Sequence, residues 1–143
     1  MIEDRISVMV MTHIVNVTTD PYLENTMLFD TIQSSHDKLG LGGAQYYLYI
    51  DKVMEDNYPE LFKQYYDNIQ NRLTKEFNHI NVDIVEDRQE LMRGNWWHMI
   101  DNCDTPYFLF LEHDWEFTED IPTEDILDKM DEHRNFSYVR FPY

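Results

Sequence analysis

Residues 107–117 read YFLFLEHDWEF. Five apolar residues in a row follow the turn signal Asp104-Thr105-Pro106. That is the pattern of a strand buried on both faces, as in a parallel sheet covered by helices. Glu112, His113 and Asp114 come directly after it, and Glu116 two residues on. A buried strand that ends abruptly in charge points to an open α/β sheet, where the polar chemistry gathers beyond the carboxyl ends of the strands.

Working outward, the chain alternates apolar runs of strand length with amphipathic stretches of helix length. Ile6–Thr12 (ISVMVMT), residues 45–50 (QYYLYI), Val82–Val85 and residues 136–141 are the other strand candidates. Between them, Asp20-Pro21 reads as an N-cap with proline at the first helical position. That helix runs through Leu23, Met27 and Ile32 to Lys38 and is broken by Gly40-Leu41-Gly42-Gly43. Residues 58–77 carry Leu61, Tyr65, Ile69 and Leu73 in four-residue steps, with Phe62, Tyr66 and Phe77 widening the stripe. Residues 89–103 read as a third helix, with Met92, Trp96, Ile100 and Cys103 along one side. Thr123, Glu124 and Asp125 open a fourth that ends near His133. The βαβαβαβαβ alternation predicts a single α/β domain over residues 1–143. It is a Rossmann-like, mostly parallel sheet with helices on both faces.

Composition narrows the function. The 143 residues hold 28 Asp and Glu against 11 Lys and Arg, a net charge of −17. Such a chain offers no basic surface to nucleic acid, and an anionic ligand needs a cation or local amides to receive it. No apolar run approaches the ~20 residues of a membrane span. The amino terminus lacks a secretion pattern, and the single cysteine, Cys103, fits a reducing compartment, so a cytoplasmic location is expected. Carboxylates follow three of the first four strands: Asp51, the pair Glu86-Asp87, and Glu112 with Asp114. In so acidic a chain any one of them has an alternative as a cap or a solvated charge. Gathered on one edge, like charges destabilise the fold unless a cation neutralises them, and Mg²⁺ or Mn²⁺ is the natural partner of oxygen ligands.

These residues resemble GT-A glycosyltransferases, especially the inverting family 2 type. YFLFLEHDWEF is similar to that family's strand and D-x-D motif, written here as Glu112-His113-Asp114. Residues 93–102 (RGNWWHMIDN) resemble the helix that opens with a nucleotide-contacting arginine, and residues 6–13 (ISVMVMTH) its first strand. The resemblance implies a nucleotide-diphosphate sugar donor. Thr12, His13 and Asp51 would lie at base and ribose, and Arg93 near phosphate or base. Glu112 would lie at the ribose, and Asp114 with Glu112 at a Mn²⁺ or Mg²⁺ ion. It covers the nucleotide-binding half of the family fold. Family members continue past this length with the acceptor site and catalytic base, and no residue here matches that base. Acceptor and sugar stay open, and transfer by this chain alone is expected to be poor.

His113, inside the motif, is expected to point back toward the sheet interior. Trp115 is the best candidate to stack on a sugar or base, and His98 and Cys103 read as structural. The sequons Asn16-Val17-Thr18 and Asn135-Phe136-Ser137 carry little weight without secretion. Two rival readings remain: a non-catalytic nucleotide- or metal-binding module, and an interaction domain whose acidic edge meets a basic partner.

Overall fold

A computed structural model describes residues 1–13, 26–51, 56–85 and 92–133. The chain forms β1 (Ile6–Thr12), α1 (Thr26–Lys38), β2 (Tyr46–Ile50), α2 (Pro59–Lys75), β3 (Val82–Val85), α3 (Met92–Asn102), β4 (Tyr107–Glu112) and α4 (Thr123–Glu132). The Asp20-Pro21 cap, Glu86-Asp87, both sequons and the strand candidate at 136–141 lie outside the described residues.

The four strands form one all-parallel sheet in the order β3-β2-β1-β4. This is a Rossmann-like α/β arrangement. Alternation along β1 divides the core. Ile6, Val8 and Val10 pack with Leu28, Phe29 and Ile32 of α1, Phe62, Tyr65 and Ile69 of α2, and Leu127 of α4. Met9 and Met11 pack on the other face with Tyr49 and with Met99 of α3. Helices on opposite faces are what right-handed crossovers produce when the chain winds outward to β3 and then returns past β1 to β4.

Two expectations are corrected. The strand buried on both faces is β1, all seven of whose residues are buried. In β4 only Leu111 is buried, because among the described strands β4 stands at the edge of the sheet. The buried stripe of α3 is also rotated. Met99 is buried while Ile100 and Trp97 are 47% and 57% exposed. Four-residue steps overshoot a turn by about 40°, so the series 92, 96, 100 walks off the face and 96, 99, 103 stays on it.

The chain does not leave β4 toward a new layer. It runs back along α1. Thr31 Oγ1 donates to the His113 carbonyl at 2.8 Å, Phe117 N donates to Ser34 Oγ at 3.0 Å, and Ile121 N donates to the Lys38 carbonyl at 2.8 Å. Arg5, one residue before β1, then clamps α4 by pairing with Asp128 at 2.8 Å and Asp131 at 2.9 Å. Gly40 and Gly43, at φ of 61° and 86°, make the left-handed turns that end α1 and start β2. Among the described residues no helix is long and apolar enough to cross a membrane.

Candidate functional site at the carboxyl edge of the sheet

The strand order reverses between β1 and β4, and their carboxyl ends bring together Thr12, His13, Glu112, His113 and Asp114. Asp51 joins them from β2, its amide donating to the Thr12 carbonyl at 2.8 Å. This is where open α/β sheets bind ligands.

Alternation sorts the motif. Glu112 pairs in register with Met11 and so falls on the α3 face of the sheet, half-buried. His113 turns to the opposite face and is 4% exposed. Asp114, beyond the strand, is exposed. Neither Glu112 nor Asp114 is paired with a cation among the described residues. α3 runs from the carboxyl to the amino edge, since His98 Nδ1 lies 2.8 Å from the hydroxyl of Tyr49 near the end of β2, while Cys103 reaches the carbonyl of Tyr107 at the start of β4. Arg93, exposed in the first turn of α3, therefore stands at the carboxyl edge. Trp115 is half-buried, edge-on to Phe110 with ring centres 6.0 Å apart, and packs against the main core.

Beneath this edge lies a polar cluster. The Thr12 hydroxyl, 1% exposed, lies 2.8 Å from His113 Nδ1 and hydrogen bonds to the hydroxyl of Tyr65 from α2. Tyr65 also donates to the His13 carbonyl at 3.3 Å. The exposed His13 ring stacks on His113, with centres 4.6 Å apart and planes at 24°. The Thr12 side chain is thus engaged by protein on both sides, and it contributes position to the crevice. Tyr65 reads in the sequence as one more member of an apolar stripe. Only its hydroxyl distinguishes it from the phenylalanines around it, and periodicity does not show what that hydroxyl meets.

Burial pushes the His113 pKa down, helped by the neighbouring His13 and opposed by Asp114. The unfolded chain takes up this proton near pH ~6.5 and the folded chain only lower, so between those two values the unfolded state binds more protons. This group's contribution to stability is therefore present above that window and is lost as pH falls through it. Relief of self-repulsion in a −17 chain acts in the other direction. The comparison with His113→Asn isolates the histidine. Between about pH 7.5 and about pH 5.5, melting of the wild type is expected to fall relative to the variant. Parallel profiles would remove His113 from the pH response.

Among the described residues no group of three or more His, Cys, Asp or Glu side chains converges as a metal cage. Two carboxylates alone could hold an ion only where a ligand supplies the remaining oxygens. Mg²⁺ in particular keeps its waters and is held through one or two carboxylates plus substrate oxygens. Glu112 and Asp114 are the carboxylates at this edge that could do so. Set against known proteins, the chain matches no protein-family model and no curated protein.

Proposed function

We propose that the protein is a GT-A-like glycosyltransferase domain that binds a nucleotide-diphosphate sugar with a Mn²⁺ or Mg²⁺ ion. The observation that carries this reading is the placement of Glu112 and Asp114 just past β4, where the strand order reverses, with Asp51 and Arg93 on the same edge. Asp114, exposed and without a cation partner among the described residues, is the residue to hold the ion, and half-buried Glu112 is to meet ribose or ion. Glu112 and Asp114 would hold such an ion, which would supply positive charge to stabilise a leaving diphosphate. Arg93 adds a fixed positive charge at the entrance. His13 offers an exposed ring beside the nucleoside, and Asp51 a carboxylate for ribose or base hydrogen bonds. The acceptor is a glycan, lipid or protein, and a cytoplasmic location suits a chain whose Cys103 is a free thiol.

A thermal-shift and calorimetric screen of nucleoside diphosphates and their sugars tests this. Binding is expected with Mn²⁺ and is expected to vanish with a chelator. At a ligand concentration about 100 times Kd the stabilisation is ~2.7 kcal/mol. Equal binding with and without the ion would leave a nucleotide-binding module and remove the metal. No binding to any nucleotide would overturn the reading.

A further inference from the structure

The β1–β4 ladder ends at the pair Met11 and Glu112. The next pair would be Thr12 and His113, and there side chains take over from the backbone, with Thr12 Oγ1 and His113 Nδ1 2.8 Å apart. Tyr65 closes the chain from α2, reaching both the Thr12 hydroxyl and the His13 carbonyl. His113 is held a second time through its own carbonyl, which accepts from Thr31 of α1. Its ring is covered by His13. Three elements thus meet at one buried hydroxyl, and each outer loop above it carries a different part of the site. β1 carries His13 and, through the Thr12 carbonyl, fixes the amide of Asp51. The end of β4 and the turn after it carry Glu112 and Asp114, one residue on either side of His113.

We propose that His113 and Tyr65 are positioning residues: acting through the Thr12 hydroxyl, they set the spacing between the nucleoside side of the crevice and the carboxylates that receive the ion and diphosphate. The proposal rests on the nucleotide-binding reading above. Its physical basis is that a hydrogen bond fixes direction as well as distance and is stronger in a buried setting. Site groups must be held to about 0.5 Å to act together. The backbone ladder stops at Glu112, two residues before Asp114, and the Tyr65–Thr12–His113 chain supplies the missing constraint.

The test uses the full chain, with Mn²⁺–pyrophosphate and Mn²⁺–uridine diphosphate or Mn²⁺–guanosine diphosphate as probes, titrated by calorimetry well below each variant's melting midpoint. His113→Phe keeps the ring and its stacking but removes the bond, and affinity is expected to fall about 10- to 100-fold, the usual cost of losing a partner that orients a ligating group. His113→Asn places a polar atom at the Nδ1 position and is expected to recover most of that loss. Thr12→Val added to His113→Phe is expected to cost little more, because the link from Thr12 to His113 is already cut and the Thr12–Tyr65 bond it also removes no longer reaches β4. Wild-type affinity in His113→Phe, or equal losses in His113→Phe and His113→Asn, would overturn the positioning role while leaving nucleotide binding intact. A wild type that binds none of these probes would overturn the functional reading and this role with it. Should His113→Phe fail to fold, Thr12→Val with Thr12→Ser as its conservative rescue makes the same comparison.

Discussion

Asp114→Asn is expected to abolish Mn²⁺-dependent nucleotide binding while leaving the protein folded. The side chain lies beyond the end of β4, is exposed, and pairs with no cation among the described residues. The change is nearly isosteric and removes one negative charge from a chain at −17. Stability is therefore expected to hold or rise slightly through reduced self-repulsion. The ion, by contrast, loses its most accessible carboxylate. In the wild type, ligand at about 100 times Kd adds ~2.7 kcal/mol, which in a chain of this size raises the melting midpoint by on the order of 10 °C. In Asp114→Asn that increment is expected to disappear. A variant that melts normally and still shows the full Mn²⁺-dependent shift would take Asp114 out of the site. A variant that fails to fold would make its carboxylate structural. Glu112→Gln is expected to be milder, since Glu112 is half-buried against the α3 face.

The largest effect on stability is expected from Phe29→Ala. Phe29 is 1% exposed at the centre of the α1–sheet contact. Its ring stacks on Phe77 with centres 4.8 Å apart, and the Arg72 guanidinium carbon lies 4.1 Å from its centroid. Truncating such a ring removes transfer energy and leaves a cavity, typically ~3–5 kcal/mol. A guanidinium over an aromatic face adds about 0.5–1 kcal/mol at an accessible site. Against a total of roughly 5–15 kcal/mol for a domain, this leaves the protein close to unfolding. Urea denaturation should show the loss directly. The fall should also be felt at the carboxyl edge, because α1 carries the Thr31 and Ser34 hydroxyls that hold the chain leaving β4. A loss below ~1 kcal/mol would contradict close packing of α1 on the sheet.

Much of the fold was legible in the residues themselves. β3 spans Val82–Val85 as its apolar run indicates, and α2 begins at Pro59 one residue inside the expected limit. The strand ends bearing Thr12, Asp51 and Glu112 could be read because strands covered by helices are short apolar runs, and because a buried strand tolerates charge only past its end. The inward turn of His113 also follows from the two-residue period, which sends Glu112 and His113 to opposite faces. These properties belong to short stretches of chain, where local geometry and desolvation decide.

What depends on neighbours distant in sequence was settled only by the tertiary structure. Whether YFLFL lies in the middle or at the edge of the sheet is a matter of strand order, and the order places β1 centrally and leaves β4 at the margin of the described strands. The buried side of α3 depends on rotation about its axis, which a few tens of degrees change and which packing on Met9 and Met11 selects. The meeting of Tyr65, Thr12 and His113 joins residues 53 and 101 positions apart. Sequence alone sets the period of each element and therefore which residues share a face. Only the packing of one element on another decides which face meets which, and with it which hydroxyl a buried histidine finds.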